Sequence, residues 1–216
     1  MLVGDLMTPN PIKITSDMSV PNALLLMHEK KIRSLPIVDS HDKLLGIVTE
    51  KDLLYVSPSP ATSLSIWEIK ELLSKVSVES IMIRKVITVT EDTPTEEAAR
   101  LMADDKIGSL PVLRDKVLVG IVTKTDLFNM FLSVLGGRRP GVRITALTSG
   151  AKGTVAKITN AIFDLGGNIV GLAFNEVTNM AGIGWQITFK VQDVPLADLL
   201  EAIRPLVIQI QDAREI

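Results

Sequence analysis

An internal duplication restricts the possible folds of this chain more than any other feature. When the sequence is shifted by 75 positions, residues 34–36 (Ser-Leu-Pro) fall on residues 109–111. After a one-residue deletion, residues 46–49 (Gly-Ile-Val-Thr) fall on residues 120–123, and Asp52 falls on Asp126. Matches that recur in the same order indicate a duplication, with two copies of one structural unit.

Each copy predicts the element order βαββα. In the second copy, an extended piece at 86–89 precedes a helix whose apolar stripe contains Ala98, Leu101 and Met102. Two short apolar runs then predict strands, since β-branched residues favour extended structure. A helix closes each copy. A linker and a further helix are expected between the copies, at 58–77.

A Thr-x-x-Asp motif stands at the predicted start of each closing helix. The motif is Thr49 with Asp52 in the first copy and Thr123 with Asp126 in the second. Thr-x-x-Asp is a capping-box arrangement with Asp in place of Glu. The same groups suit a nucleotide, because a hydroxyl and helix N–H groups can donate to a phosphate while a carboxylate accepts from sugar hydroxyls. The motif alone therefore leaves open both a binding site and a purely structural cap.

Two units that carry Ser-Leu-Pro-(Ile/Val) and Gly-Ile-Val-Thr-x-x-Asp-Leu resemble a tandem pair of CBS domains, a Bateman module, over roughly residues 1–135. The resemblance implies clefts that bind AMP, ADP, ATP or S-adenosylmethionine, with no other cofactor required. It implies that the aspartates hold ribose, the extended pieces flank adenine, and the clefts differ because Arg33 matches Gly108. The residues implied in nucleotide binding are Ile12, Arg33, Ser34, Pro36, Gly46, Thr49 and Asp52, with Ile87, Gly108, Ser109, Pro111, Gly120, Thr123 and Asp126.

The last third of the chain predicts a different order, βαββαβ, which is typical of a ferredoxin-like fold. With Lys-Gly-Thr-Val before its first helix and Gly-Gly-Asn-Ile after it, this part is similar to an ACT domain. ACT domains commonly pair through their sheets and bind small ligands, often amino acids. The resemblance implies a ligand loop at Lys152, Gly153 and Thr154, although Lys152 stands where an acidic residue is usual.

The expected fold class is therefore α+β: a CBS pair of two βαββα units followed by a ferredoxin-like βαββαβ ACT domain. This combination resembles the acetoin-utilisation B-type proteins. The expected boundaries are 1–57 for the first CBS repeat, 58–77 for the linker and helix, 78–136 for the second repeat, 137–141 for a linker and 142–216 for the ACT-like domain.

Composition narrows the function classes further. The net charge is −2, Cys is absent, and Lys and Arg are scattered, so the sequence favours neither a nucleic-acid partner nor disulfide or thiolate chemistry. No apolar run is long enough to predict a membrane span, and a cytoplasmic homodimer is expected. The two histidines, His28 and His41, do not form an acid-base constellation with other residues, so no catalytic site is predicted.

Three hypotheses follow from these patterns. The first is a non-enzymatic regulatory sensor that binds an adenine nucleotide and acts on a regulated enzyme, with the ACT domain as a dimerisation or small-ligand module. The second is a structural adaptor in which the CBS pair only dimerises, or an amino-acid sensor that works through the ACT domain. The third is an enzyme that converts a nucleotide or a small acid.

Overall fold

The computed structural model describes residues 1–56, 72, 74–179 and 182–216. Contacts within the chain divide it into two compact units, Met1–Leu127 and Phe128–Ile216. The linker and helix predicted at 58–77 lie for the most part outside the described residues. Among the described helices, none combines the length and the apolar character needed to cross a bilayer.

The first unit contains both repeats, and the described elements of each repeat follow one plan. A strand pair of apolar, β-branched residues packs against a helix, and a second helix begins where the second strand ends. The first repeat contains α1 (Val3–Leu6), β1 (Thr8–Pro9), α2 (Val20–Lys30), β2 (Ser34–Val38), β3 (Leu44–Thr49) and α3 (Glu50–Tyr55). The second contains a 3-10 turn (Val78–Ser80), α4 (Thr95–Asp104), β4 (Ser109–Arg114), β5 (Val117–Thr123) and α5 (Lys124–Val134).

The predicted extended pieces at the start of each repeat are present as single bridges. Ile14 pairs in parallel with Ile37 of β2, and Val89 pairs in parallel with Val112 of β4. The β2–β3 and β4–β5 pairs are antiparallel, and each carries a bulge at the matching place. The duplicated α+β arrangement predicted from the sequence is therefore confirmed.

The chain segment in front of each repeat pairs with the other repeat. Thr8 of β1 lies opposite Ile121 of β5, while Ile83 exchanges main-chain hydrogen bonds of 2.9 and 3.1 Å with Ile47 of β3. The buried side chains follow the same exchange: Val3 lies in the core of the second repeat, and Met82 lies in the core of the first. The leading segment of each repeat thus contributes side chains to the core of the other repeat, and neither core is complete without this exchange.

Gly46 and Gly120 mark the positions where these exchanged segments cross the strands. A Cβ on Gly46 would lie 2.9 Å from the carbonyl oxygen of Ile83 and 2.7 Å from Sδ of Met82. A Cβ on Gly120 would lie 2.3 Å from Sδ of Met7. The absence of a side chain at both glycines therefore accommodates the partner repeat, and not a ligand as the sequence motif predicted.

The second unit contains a four-stranded antiparallel sheet with the strand order β7-β8-β6-β9. Its core lies between this sheet and two amphipathic helices, and includes Ile144, Ile158, Phe189 and Leu199. Its elements are β6 (Val142–Thr148), α6 (Thr154–Asp164), β7 (Asn168–Asn179), β8 (Gly182–Gln192), α7 (Leu196–Ile203), a 3-10 turn (Arg204–Leu206) and β9 (Gln209–Glu215).

The carboxyl end of α5 belongs to this second unit. The left-handed Gly136 follows the helix, and Gly137 N–H returns to the carbonyl of Leu132 at 2.7 Å, so the glycine pair caps the end of the helix. Lys190 is only 4% exposed, and its Nζ donates to the Gly136 carbonyl at 3.2 Å. These contacts group residues 128–136 with the C-terminal unit, whereas the boundaries at 136 and 142 remain predictions.

We expect Gly46→Ala to lower the free energy of unfolding by about 1–3 kcal/mol, because the added methyl group overpacks against main-chain atoms of the exchanged segment. Urea unfolding followed by circular dichroism measures the change. Gly108→Ala is the matched control, since a Cβ there meets no atom within 4 Å. Equal stability of the two variants would contradict the close crossing at Gly46.

Candidate functional site

The first unit contains a cleft of about 920 Å³ that both repeats line. The lining is nearly symmetric. For each lining residue except Lys85, the residue at the equivalent position of the other repeat also lines the cleft. The segment 8–14 pairs first with β5 and then with β2, and between these pairings Pro11 and Ile12 line the wall. In the same way, the segment 83–89 contributes Lys85, Val86 and Ile87. The segment exchange therefore builds the cleft as well as the two cores.

Both Thr-x-x-Asp motifs form complete capping boxes that face this cleft. Oδ2 of Asp52 accepts from Thr49 N at 2.9 Å and from Thr49 Oγ1 at 2.6 Å, and Asp52 N–H donates back to Oγ1 at 3.3 Å. The matching distances at Thr123 and Asp126 are 2.8, 2.7 and 3.4 Å. Within the described part of the chain, Oδ1 of each aspartate accepts no hydrogen bond and is available to a ligand.

The capping boxes change the expected role of the threonines. Each hydroxyl has one proton, and the structure gives that proton to the aspartate, so the hydroxyl meets a ligand as an acceptor. The first N–H group of each helix is also engaged, because Glu50 N–H donates to the Arg33 carbonyl and Lys124 N–H to the Gly108 carbonyl, both at 3.0 Å. The threonine hydroxyls and these first N–H groups already have acceptors, so their donation to a phosphate stays a prediction.

Side-chain cations supply the positive charge of the cleft instead. The wall carries six cations but only three acids: Glu50, Asp52 and Asp126. Within the described residues, none of the six forms an ion pair, whereas Glu50 lies 3.6 Å from His28 Nε2. An anionic ligand is favoured, because it would find charges that no other group of the described chain neutralises. The six cations are Lys31, Arg33, Lys51, Lys85, Lys106 and Lys124.

Lys31 and Lys106 have an unusual backbone conformation. They occupy matching positions, each just after a helix, with φ of 54° and 56°. Glycine or asparagine is usual in the left-handed region, which costs other residues about 1–2 kcal/mol. Both lysines line the same cleft, so each brings a positive charge to it in spite of the cost of its backbone conformation.

The structure brings most of the predicted nucleotide-binding residues together and separates four from the cleft. Pro36 and Pro111 are buried in the strand pairs, where their carbonyls accept from Ile14 and Val89. Gly46 and Gly120 contact the exchanged methionines, as described above. The predicted residues that line the cleft are Ile12, Arg33, Ser34, Thr49, Asp52, Ile87, Gly108, Ser109, Thr123 and Asp126.

Lysines at the cleft are the main residues that the sequence motif did not single out. The duplication offered a signal for two of them, because Lys31-Ile32 recurs as Lys106-Ile107. Lys51, Lys85 and Lys124 have no equivalent lysine in the other copy. Only the folded cleft identifies those three as lining residues.

The predicted ligand loop of the second unit lies at the start of α6. Gly153 adopts a left-handed φ of 85°, and Thr154 Oγ1 donates to the Ala151 carbonyl at 2.8 Å. Lys152 is exposed. The preceding Gly150 lies against the Trp185 ring, which stacks on Phe174 with a centroid distance of 4.8 Å. The start of the loop thus lies against a stacked aromatic pair.

The described residues contain no group of three or more His, Asp or Glu side chains arranged to hold a metal ion. His41 lies in an exposed turn beside Ser40 and Asp39, away from the cleft-lining residues. Asp39 accepts N–H groups of His41 and Lys43, and these bonds lower the pKa of its carboxyl group. This shift belongs to a turn, not to a reactive site.

A model of the CBS domain matches residues 3–59 and 78–133, more than half of the chain, and the protein belongs to this family. The matched ranges include both capping boxes and the exchanged segments. The family's domain pairs are generally regulatory modules, and the pair found here has the corresponding duplicated architecture.

Three solved structures resemble the first unit. The CBS domain pair of protein MJ0100, solved with 5'-methylthioadenosine and S-adenosyl-L-methionine, is 34% identical, covers 64% of this chain and 98% of its own, and has a TM-score of 0.51. CBSX2 in complex with AMP is 34% identical, covers 61% and 96%, and scores 0.51. A Vibrio cholerae protein named for acetoin utilization (AcuB) is 33% identical, covers 64% and 95%, and scores 0.54.

Relatives of known sequence differ widely in size. At 35% identity, the chain covers 94% of a CBS domain-containing protein of Dictyostelium discoideum but only 24% of an L-aspartate semialdehyde sulfurtransferase of Methanocaldococcus jannaschii. Both matches cover under two thirds of this chain, 62% and 64%. The shared part therefore occurs both as nearly a whole protein and as a fraction of a larger enzyme.

We expect Asp126→Ala to lower the free energy of unfolding by about 1 kcal/mol, because it removes the carboxylate that accepts two bonds at the start of α5. Chemical denaturation without ligand measures this change. Glu29→Ala is a suitable control, since Glu29 is exposed on α2 and has no hydrogen bond in the described structure. An Asp126→Ala protein as stable as the control would argue against the capping role.

Proposed function

We propose that the protein is a non-catalytic regulatory sensor that binds an adenine nucleotide in the cleft of its CBS pair. The observation that carries this proposal is the pair of matched aspartates in a cleft lined by cations, where neither Oδ1 nor the cations have a partner among the described residues. Binding would then favour one arrangement of the module over another and so alter contacts with a regulated partner.

Each half of the cleft offers the groups that an adenine nucleotide needs. Oδ1 of Asp52 or Asp126 and the adjacent threonine Oγ1 would accept from the ribose hydroxyls. The apolar side chains of Ile12 and Ile87 would flank the adenine ring, and Arg33 with the lysines would neutralise phosphate. The bound AMP of CBSX2 and the bound S-adenosyl-L-methionine and 5'-methylthioadenosine of MJ0100 support an adenine ligand.

Charge favours the phosphorylated members of this ligand class. The excess of cations over acids in the wall attracts AMP, ADP and ATP. S-adenosylmethionine has a net positive charge, because its sulfonium and ammonium groups outnumber its single carboxylate, and the same cations repel that net charge. We therefore rank the three nucleotides above S-adenosylmethionine for this chain.

The second unit would serve as a dimerisation or small-ligand module of the ACT type. Its order βαββαβ and its sheet order β7-β8-β6-β9 support a ferredoxin-like fold. The resemblance to acetoin-utilisation proteins is compatible with this assignment, although the AcuB match covers only 64% of the chain. The loop at Lys152, Gly153 and Thr154 is the proposed place for a small ligand, and a homodimer is the proposed assembly.

A structural adaptor is the second candidate, and one specific observation favours it. The capping boxes explain the Thr and Asp at both helix starts without any ligand. Apolar side chains are also exposed on the closing helices, including Tyr55 at 88% and Phe128 at 67%, as expected for a module that packs against other copies. If the protein is only an adaptor, no nucleotide would bind in the cleft.

Isothermal titration with AMP, ADP, ATP and S-adenosylmethionine tests the proposal. Asp52→Asn and Asp126→Asn should each weaken nucleotide binding at least about 10-fold, the loss expected when a charged acceptor of about 1.5–3 kcal/mol is neutralised. Asn keeps an oxygen that can accept the threonine N–H, so the cap survives better than with Ala.

Asp39→Asn is the matched control, because Asp39 also accepts two main-chain N–H groups but lies outside the cleft. Mass spectrometry of denatured protein first excludes a ligand retained from purification. Binding that is unchanged in both cleft variants would refute the site, and no binding of any adenine compound would favour the adaptor. A shift in thermal stability with an amino acid alone would move the sensing role to the second unit.

A further inference from the structure

A smaller pocket lies in the second unit, beside the end of α5. Its volume is about 360 Å³, at the lower end of the range of about 300–1,000 Å³ for small-molecule sites. None of its lining residues lines the cleft of the first unit. The pocket is lined by Asn129, Leu132, Ser133, Gly136, Arg138 and Arg139.

Main-chain hydrogen bonds hold the turn that carries the two arginines. On one side, Arg139 N–H donates to the Gly136 carbonyl at 3.1 Å, at the glycine-capped end of α5. On the other side, Gly141 exchanges main-chain hydrogen bonds of 2.9 and 3.0 Å with Ile216. The turn is therefore fixed at both ends, and a fixed turn lowers the entropic cost of binding a ligand.

The charges of the two arginines are not needed to balance the end of α5. The carboxyl end of a helix carries a partial negative charge, which a nearby cation stabilises. The buried Lys190 already supplies this cation, because its Nζ donates to the Gly136 carbonyl at 3.2 Å. Among the described residues, neither Arg138 nor Arg139 forms an ion pair, and the lining of the pocket includes no acid. Their two positive charges are therefore available to an anion.

The remaining polar side chains of the pocket can donate hydrogen bonds. Nη2 of Arg138 donates to Oδ1 of Asn129 at 2.9 Å, which orients the guanidinium group along α5 and leaves Nδ2 of Asn129 as a donor. The Ser133 hydroxyl has no hydrogen bond in the part of the chain that the structure describes, so it can donate as well. Two guanidinium groups, an amide and a hydroxyl thus line one small space.

A phosphate group matches this set of donors better than a carboxylate does. A phosphate monoester carries a charge of about −1.5 to −2 at neutral pH and has three strong acceptor oxygens. A carboxylate has one charge and two acceptor oxygens. Guanidinium groups also donate to phosphate in a bidentate manner. Leu132 is the one apolar side chain in the lining, so the pocket offers little contact to a large apolar group.

We infer that this pocket binds the phosphate group of a small molecule, which is either inorganic phosphate or a phosphate monoester. Arg138 and Arg139 neutralise the phosphate, while the Ser133 hydroxyl and the Asn129 amide donate to its remaining oxygen atoms. All of these residues belong to the second unit, so the inference does not rest on the function proposed for the cleft of the first unit.

Titration of the full chain with inorganic phosphate, followed by heteronuclear NMR, tests this inference. The main-chain N–H signals of Gly137 and Arg139 report on the pocket itself, which distinguishes binding here from phosphate bound in the cationic cleft. We expect both signals to shift and saturate with phosphate, and malonate at equal ionic strength to bind more weakly. Glycerol phosphate is titrated in parallel: tighter binding than phosphate identifies a monoester as the ligand, and weaker binding identifies free phosphate.

Variants that remove one charge at a time test the role of the arginines. Arg138→Gln and Arg139→Gln should each weaken phosphate binding at least about 10-fold, the loss expected for one charge-assisted hydrogen bond. Both side chains are exposed, so the melting temperature without phosphate should stay the same. Arg204→Gln is the matched control: Arg204 is exposed, has no ion pair in the described structure and does not line the pocket, so this variant should bind like the parent protein.

Three results would each overturn the inference. The first is that phosphate shifts the Gly137 and Arg139 signals no more than chloride does. The second is that malonate binds as tightly as phosphate, and the third is that affinity is unchanged in both arginine variants. None of these results affects the titration of Asp52→Asn and Asp126→Asn with adenine compounds, so a failure here is distinct from a failure of the proposed function.

Discussion

The exchange of leading segments between the repeats is the constraint on which the first unit depends. Ile83 pairs with Ile47 in one direction, and Thr8 pairs with Ile121 in the other. This exchange places Val3 and Met82 in the opposite cores and carries Ile12 and Ile87 along the walls of the cleft. The same exchange of segments therefore forms the two cores and the candidate cleft. A ligand that contacts both walls of the cleft would also stabilise the pairing of the repeats.

At the proposed site, the capping aspartates would divide their two oxygen atoms between structure and ligand. Oδ2 is engaged by the threonine N–H and hydroxyl at the helix start, and Oδ1 has no hydrogen-bond partner in the described chain. The local structure thereby fixes the orientation of the carboxylate before any ligand arrives. A preorganised acceptor of this kind lowers the entropic cost of binding.

The net charge of the whole chain differs in sign from the charge of the cleft wall. The whole chain carries −2, yet the cleft wall has more cations than acids. Acidic residues elsewhere are engaged with their own neighbours, as where Glu91 pairs with Arg114 and Asp212 with Arg214, and these contacts lower the pKa of both carboxyl groups. The residues outside the cleft wall therefore carry the negative charge that offsets the cations of the wall.

The sequence by itself determined the duplicated unit, the order of the helices and strands in both parts, and the capping boxes, because these features depend on residues close together in the chain. It misassigned Gly46 and Gly120 to a ligand, because their role depends on Met82 and Met7 of the exchanged segments. Only the tertiary structure decided that Lys31 and Lys106 share one cleft, since residues 75 positions apart meet there through strand pairing.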